Sequence, residues 1–215
     1  MVINEPISTR DRLIEAARDL FLQKGYTATG VAEILKAAEA KSGSLYHFFP
    51  TKEDLLLAVL DWYRTHIWTD LLNPIWDRIS DPIERIFGLL DGYRQMLLHT
   101  EFSAGCPIGN LALELADTHP AARELITINF TQWMGAVQQC LEEASGRLPD
   151  GADLKQLSTF VLTTMEGAMM LARSYRNLEP FDAAVTQLRH YFERMLADGS
   201  NWSSPKRNAQ HKHTQ

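Results

Sequence analysis

The side chains best suited to chemistry lie in one short polar segment, residues 41–48, which reads KSGSLYHF. It combines a lysine, two serines, a tyrosine and a histidine with one glycine. Side chains of these types can donate hydrogen bonds to phosphate oxygens and to acceptor atoms on base edges. The chemistry that this segment indicates is recognition of nucleic acid rather than bond cleavage.

Motifs of catalytic or metal-binding sites are absent from the sequence. The chain contains no G-x-S-x-G elbow, no H-E-x-x-H pair, no C-x-x-C pair and no glycine-rich phosphate loop. His211 and His213 would hold a metal ion only weakly, because two histidines do not complete a site. We therefore expect no enzymatic activity, no cofactor and no metal site.

Composition and charge indicate a globular protein of the reducing cytoplasm. Of the 215 residues, 45% are hydrophobic, and the net charge is −6. No apolar run reaches the roughly 18 residues of a membrane span, and the first twelve residues lack the apolar core of a secretory signal. Two cysteines do not make a disulfide framework. Residues 36–52 nevertheless carry three lysines and one glutamate, a local charge of +2 within an acidic chain.

Apolar residues recur at helical spacing along most of the chain, and no useful alternating strand pattern appears. The first predicted helix ends at Gly25, the second is capped by Thr29, and a third, short helix covers residues 41–48. Thr51 caps a fourth helix, which carries two carboxylates in its first turn. An amphipathic helix, a tight connection and a short helix with small outward residues together predict a helix-turn-helix.

Prolines divide the remainder of the chain into further helices. The predicted helices cover residues 52–72, 82–103, 107–117, 120–145, 153–176 and 181–197. The sequence thus predicts an all-α fold of about nine helices. A three-helix N-terminal domain is expected over residues 8–60, a larger helical bundle over 61–198, and a disordered tail over 199–215.

The short helix over residues 41–48 would have to enter a major groove about 12 Å wide, so its outer face needs small side chains. Ser42, Gly43 and Ser44 supply them, although a helical glycine costs about 1 kcal/mol relative to alanine. Lys41, Ser42, Ser44 and His47 are the side chains predicted to read base edges.

Four residues in or beside this helix would hold it in place. Tyr46 can donate its hydroxyl to a phosphate, and Lys52 begins a helix whose N-terminus also favours phosphate. Leu45 and Phe48 are predicted to anchor the helix on its inner side.

Each of these assignments has a structural alternative. Tyr46 and His47 can be half-buried core residues, and Lys41 can be a solvated surface lysine. A helix-turn-helix pattern is also unspecific when it stands alone, so the interpretation depends on the wider sequence.

Residues 9–59 resemble the N-terminal DNA-binding domain of the TetR/AcrR family of bacterial repressors. The resemblance rests on several spaced elements, AARDLFLQKGY, KSGSLYHFF and TKEDLL, and on the helix that Thr29 is predicted to cap. It implies phosphate contacts from Thr29, Tyr46 and Lys52. The residues that it places against the groove are Lys41, Ser42, Gly43, Ser44 and His47. Glu39 departs from the family pattern, which usually has glycine in this turn.

The resemblance also implies an all-helical C-terminal domain that dimerises and binds a small molecule. Residues 60–180 are rich in aromatic and methionine side chains, which are typical of apolar ligand cavities, although most such residues form ordinary core. The candidate ligand-binding residues are Tyr93, Met96, Cys106, Asn110, Phe130, Trp133, Met134, Glu166, Met169 and Met170. The polar members of the apolar stretches, Asn110, Glu114, Glu166 and Arg173, can orient a ligand or pair with one another.

The segment GCPIGNLALELAD at residues 105–117 carries a second chemical signal. Pro107 suits the first position of a helix, so Cys106 would lie at the N-cap, where the helix dipole lowers a thiol pKa. With MEGAMMLA at residues 165–172, this segment resembles the LmrA/YxaF-like subgroup and some electrophile- or aldehyde-sensing repressors. Cys106 is thus either a sensing thiol or an inert buried cysteine, and Cys140 is expected to have no role.

The last two long helices are strongly apolar, which predicts either a four-helix dimer interface or an intrachain core. The apolar residues assigned to one face of the first are Leu157, Phe160, Val161, Thr164, Ala168, Leu171 and Ala172, and those of its partner are Val185, Leu188, Tyr191, Phe192 and Met195. A dimer would set two recognition helices about 34–36 Å apart, the spacing of half-sites in a palindrome.

Together these features predict a cytoplasmic DNA-binding transcriptional regulator with no membrane attachment. We expect a homodimeric repressor that leaves double-stranded operator DNA when a small-molecule or electrophile effector binds. The alternative is a helical protein–protein adaptor with a vestigial DNA-binding fold.

Overall fold

The computed structural model describes residues 7–197, and every regular element in that range is helical. The α-helices are α1 (Thr9–Lys24), α2 (Val31–Ala37), α3 (Ser42–Phe48), α4 (Lys52–His66), α5 (Asn73–Trp76), α6 (Pro82–His99), α7 (Pro107–Leu115), α8 (Pro120–Glu143), α9 (Leu154–Tyr175) and α10 (Glu179–Ala197). The predicted tail at residues 199–215, with His211 and His213, lies outside the described residues.

Helix α4 continues through a π-helical turn, Ile67–Leu72, directly into the single turn of α5. The described residues therefore contain nine continuous helical rods, and the predicted all-α fold is confirmed. The domain boundary predicted at residue 60 falls inside α4, so one helix belongs to both parts of the chain.

Local sequence accounts for most helix starts. Thr51 and Asp54 form a capping box at α4, and the Asp81 carboxylate accepts the backbone N–H groups of Ile83 and Glu84 at α6. Prolines occupy the first position of α6, α7 and α8, where a missing N–H costs nothing.

Two predicted helix boundaries are wrong, one at the start of a helix and one at the end of another. Thr29 is not the cap of α2, because α2 begins after Gly30, whose N–H donates to the Glu33 carboxylate over 3.1 Å. Helix α6 ends at His99 rather than at residue 103, because Glu101 and Phe102 adopt left-handed φ angles of 48° and 59°. No glycine or proline marks that reversal in the sequence.

The N-terminal helices share one small core. Leu13 of α1, Ile34 of α2 and Leu45 of α3 are fully buried, and α4 adds Leu55 and Leu56. Because α1 contacts α2, α3 and α4, it fixes the angle at which α3 is held.

In the C-terminal part, α8 packs against α4, α6, α7 and α9. Its Asn129 is buried and donates to the Leu60 carbonyl of α4 over 3.0 Å, and its Trp133 Nε1 donates to the Tyr93 hydroxyl over 3.1 Å. Cys140 is fully buried in the same helix. Within residues 7–197, no helix combines the length and apolarity needed to cross a membrane.

Helix α9 divides its apolar residues between two neighbouring faces, which corrects the single face predicted from the sequence. Val161, Ala168 and Ala172 are buried, whereas Phe160 and Leu171 remain 42% and 43% exposed. Phe160 and Leu171 lie about three turns apart, so they belong to one exposed row.

Candidate DNA-binding surface and ligand cavity

Helix α3 is anchored from one side and open to solvent on the other. Leu45 is fully buried, and Phe49, directly after the helix, is 3% exposed. The predicted anchor Phe48 is wrong, since it is 39% exposed and packs edge-on against the ring of His47. The chain leaves helical geometry at Phe49, which turns that ring rather than Phe48 into the core.

The polar residues predicted to touch DNA lie mostly on the open side. Lys41, Ser42 and His47 are exposed, Tyr46 is 55% exposed, and Ser44 is half-buried. Lys41 is also the N-cap of α3, so it lies at the end where backbone N–H groups are free. We call the surface that combines Lys41, Ser42, Gly43, Ser44, Tyr46 and His47 the α3 outer face.

Gly43 is not required by the internal packing of the protein. A Cβ atom built on it would meet no atom within 4 Å, and its backbone has ordinary helical geometry. Gly43 therefore lowers the stability of the helix without improving the packing inside the chain. The absent side chain instead leaves the backbone of α3 accessible to an external surface.

The turn between α2 and α3 keeps a tight geometry although it lacks glycine. Glu39 adopts a left-handed φ of 49°, and the N–H of Ala40 donates to the Leu35 carbonyl over 2.9 Å. A residue other than glycine costs roughly 1–2 kcal/mol in this conformation, so the surrounding helices hold Glu39 there.

Two residues predicted to bind phosphate have partners inside the protein. Thr29 is 1% exposed, and its hydroxyl donates to the Gly25 carbonyl over 2.7 Å. Lys52 donates to the Tyr26 carbonyl and lies 4.1 Å from the centre of the Tyr26 ring. Burial lowers the pKa of Lys52. Both residues thus stabilise the loop between α1 and α2.

Two adjoining cavities lie in the C-terminal part. One of about 480 Å³ opens between α7, α8 and α9, and one of about 220 Å³ lies beside the π-helical turn. Cys106, Phe130 and Glu166 line both. The first volume lies in the range of sites for small organic molecules.

Nine of the ten predicted ligand-binding residues line these cavities. The larger cavity is lined by Cys106, Asn110, Phe130, Glu166, Met169 and Met170, and the smaller by Tyr93, Met96, Cys106, Phe130, Trp133 and Glu166. Met134 lines neither. It is one position beyond Trp133, so it points elsewhere, and its sulfur accepts a hydrogen bond from Thr159.

Cys106 is the N-cap of α7, as predicted, but the predicted direction of its pKa is wrong. The thiol is 6% exposed, and its sulfur accepts the Gly109 N–H over 3.3 Å. Burial and the neighbouring Glu166 carboxyl raise the thiol pKa well above its ordinary value and outweigh the helix N–H groups. The protonated thiol therefore predominates near neutral pH.

Two polar side chains of α9 face the larger cavity. Burial raises the pKa of Glu166, and its buried Oε1 has no hydrogen-bond partner among the described residues. Arg173 donates to the Asn110 side chain over 2.7 Å. The sequence identified Arg173 only as polar, but its spacing of seven from Glu166 places both on one helix face. Arg176, which also lines this cavity, was missed.

Glu114 connects α7 to the DNA-binding helices. Its carboxylate accepts the backbone N–H of Tyr26 over 2.9 Å and that of Thr27 over 2.6 Å. It follows Asn110, which lines the larger cavity, by one helical turn. We call the interdomain contact formed by Glu114, Tyr26, Thr27 and Lys52 the α7 latch.

A solvent-facing short helix in a helix-turn-helix, joined to a helical part with open cavities, is typical of DNA-binding transcriptional regulators. Comparison with known proteins identifies the family. Residues 13–59 match the family of bacterial regulatory proteins called the tetR family, and residues 82–188 match the tetracyclin repressor-like C-terminal domain. The chain belongs to the TetR family of transcriptional regulators.

Individual relatives confirm the predicted resemblance. The HTH-type transcriptional repressor DhaR of Mycobacterium sp. strain GP1 is 30% identical over 199 residues, 91% of this chain and 96% of DhaR. The regulator YxaF of Bacillus subtilis is 32% identical over 181 residues, 84% of this chain and 93% of YxaF. The crystal structure of regulatory protein TetR from Rhodobacter sphaeroides matches with a TM-score of 0.77 and 28% identity, covering 85% and 98% of the two chains. These proteins are regulators rather than enzymes.

Proposed function

We propose that the protein is a homodimeric repressor that binds a palindromic operator through α3 and releases it when a small molecule occupies the cavities. The observation that carries this proposal is the α3 outer face, where exposed hydrogen-bond donors surround a glycine that internal packing does not need. A surface of this kind suits close approach to DNA and has no evident use in a protein adaptor.

The α3 outer face provides two kinds of contact. Lys41, Ser42, Ser44 and His47 would read base edges, and Tyr46 would donate its hydroxyl to a phosphate. We leave Thr29 out of the contact set because its hydroxyl already has a partner. Lys52 serves the proposal indirectly, by holding the loop at Tyr26.

The exposed apolar row on α9 supports dimerisation. Phe160, Leu171 and Tyr175 share this face, and they are 42%, 43% and 66% exposed. The ring of Tyr191 on α10 lies edge-on to Phe160 with a centroid distance of 5.5 Å, which extends the apolar surface across both helices. A second copy packed on this face would complete a four-helix interface and pair the two α3 helices.

The α7 latch supports coupling between cavity and DNA. Cys106, Gly109 and Asn110 line the larger cavity from α7, and the same helix holds the α1–α2 loop through Glu114. A ligand that binds better to a different position of α7 would shift the DNA-binding helices with it. A coupling of about 1–3 kcal/mol would weaken operator binding roughly 5–150-fold.

DNA titrations with the wild type and two classes of variant test this proposal. On a fragment from the promoter of its own gene and on scrambled DNA, Tyr46→Phe should weaken binding to both about equally, because a phosphate contact carries no sequence information. Lys41→Ala or Ser44→Ala should cost about 1–3 kcal/mol on the promoter fragment and less on scrambled DNA.

Lys155→Ala, an exposed lysine at the start of α9, is the matched control and should change neither titration. An equal loss of affinity for both DNAs in every α3 variant would overturn the assignment of base-reading and phosphate-binding roles. A wild-type protein that ignores both DNAs at low salt would overturn the proposed function itself.

A further inference from the structure

The larger cavity contains a cation that forms no ion pair within residues 7–197. Arg173 is half-buried, and it forms no ion pair with any carboxylate in residues 7–197. Its guanidinium donates to the Asn110 side chain and to the Ser103 carbonyl. These partners are neutral, and buried charges are usually paired.

A second guanidinium adds positive charge to this end of the cavity. Arg176 also lines this cavity and donates to the carbonyls of Glu101 and Phe102. Burial, and then the positive charge of Arg176, lower the pKa of Arg173. The C-terminus of α9 supplies only a partial negative charge to offset two guanidinium groups. This end of the cavity therefore favours an anion.

The opposite end of the cavity offers a hydrogen-bond acceptor. Glu166 precedes Arg173 by seven residues on α9, which corresponds to about 10 Å along the helix. Its Oε1 is buried without a partner in the described part of the chain. Each such buried atom in a native structure calls for a partner, and a ligand hydroxyl facing the cavity would supply one.

Two glycines of the α7 region make room for these polar groups. A Cβ on Gly105 would lie 2.8 Å from the Arg173 side chain, and one on Gly109 would overlap the Glu166 carboxyl. Phe130 and Met169 line the wall between the two ends. The cavity is therefore apolar along its length and polar at both ends.

We infer that the effector is an organic monocarboxylate with an apolar body and a hydroxyl group at its far end. Its carboxylate pairs with Arg173, its body lies along Phe130 and Met169, and its hydroxyl donates to Glu166. The inference rests on the proposed function, since it names the ligand class of the same cavity.

Calorimetric titration of the full chain with matched probes tests the inference. The probes are 4-hydroxycinnamate, its methyl ester, cinnamate, 8-hydroxyoctanoate and octanoate. We expect the carboxylates to bind, the ester to bind at least tenfold more weakly, and each hydroxy acid to bind more tightly than its parent acid. Tenfold corresponds to about 1.4 kcal/mol.

Two variants separate the two ends of the site. Arg173→Met should weaken every carboxylate at least tenfold, whereas Arg123→Met, which removes an exposed arginine of α8 that bonds to the Ala116 carbonyl, should weaken none. Glu166→Met should abolish the preference for hydroxy acids while leaving the parent acids bound. Circular dichroism and sedimentation check that each variant is folded and in the same oligomeric state as the wild type.

The inference fails if the ester binds as tightly as the acid, if Arg173→Met binds acids like the wild type, or if no carboxylate binds at millimolar concentration. DNA binding is measured in parallel on the ligand-free protein. Ligand binding without DNA binding would overturn the proposed function alone, and DNA binding without carboxylate binding would overturn the ligand class alone.

Discussion

The thiol of Cys106 shows how burial can reverse the chemistry of a residue. A free cysteine at a helix N-terminus ordinarily loses its proton more easily. Here the sulfur is enclosed by α7 and the Glu166 carboxyl, and its pKa is raised well above the ordinary value. Burial also raises the pKa of Cys140 to about 12. Both thiols are therefore protonated in the folded protein, although Cys106 borders both cavities.

We predict that neither cysteine reacts quickly with N-ethylmaleimide at pH 7.5. Because the thiolate is the nucleophile, labelling of the folded protein should be at least about a hundredfold slower than labelling in guanidinium chloride. Mass spectrometry of the intact protein over time measures the rates in the folded and the denatured protein. The variants Cys106→Ala and Cys140→Ala show which cysteine is labelled at each rate. Rapid, stoichiometric labelling of Cys106 would contradict the prediction and would favour an electrophile effector.

The exposure of a residue that depends only on its position along a helix could be predicted from the sequence. The role of a residue that depends on a partner far away in the chain could not. Tyr46 and His47 are exposed because the spacing from Leu45 places them on the outer side of α3. The contact of Lys52 depends on Tyr26, and the pKa of Cys106 depends on burial and on Glu166, far away in the chain. The local sequence pattern does not indicate which distant residues will become these partners.

At the scale of elements, α7 joins the cavity wall to the DNA-binding helices. Burial opposes ionisation of Glu114, but hydrogen bonds from Thr27 and Tyr26 outweigh it and hold the pKa of this carboxyl below its usual value. The ionised form of Glu114 therefore stabilises the folded state, and the contribution should be present above about pH 4.5 and lost as pH falls through the folded-state pKa.

We predict that Glu114→Gln lowers the free energy of unfolding by about 1 kcal/mol at pH 7, because a neutral amide replaces a charged acceptor of two N–H groups. The difference from the wild type should stay constant between pH 8 and 6 and shrink below about pH 4.5. Urea denaturation across this range measures it. Glu124→Gln, an exposed carboxylate of α8, is the control, and an equal effect from both variants would contradict the role of the latch.

The sequence was a good guide to helix starts and a weaker guide to helix ends. Proline and capping residues act within one turn, so the starts of α6, α7 and α8 could be predicted. The end of α6 depends on Glu101 and Phe102, which take left-handed angles that glycine usually adopts. The π-helical turn after α4 does have a local marker, since Pro74 directly beyond it lacks the N–H of an interior helical residue. Tertiary packing decides the end of α6, and a single sequence does not show that packing.

At the scale of the whole molecule, the exposed row on α9 determines the expected assembly. We predict that Leu171→Glu makes the protein monomeric and weakens promoter binding at least tenfold, because a charge would be buried at the centre of the interface. Sedimentation velocity and DNA titration measure the two effects. Leu98→Glu is the matched control, since Leu98 is also 43% exposed but lies on α6.

A Leu171→Glu protein that remains dimeric would place the interface elsewhere on the molecule. The control Leu98→Glu should keep both the dimer and the promoter affinity of the wild type. The two leucines differ in location and not in exposure, so solubility or surface charge alone would affect both variants alike.

The π-helical turn Ile67–Leu72 also limits how the length of this chain can vary. A turn of this kind contains one residue more than an ordinary turn, and each residue rotates the later part of the rod by about 100°. Removing that surplus residue would swing Ile75 away from Gly88, against which it now packs on α6. We therefore expect insertions and deletions to be tolerated in the connections on either side of α6, but not within the long rod that spans both halves of the molecule.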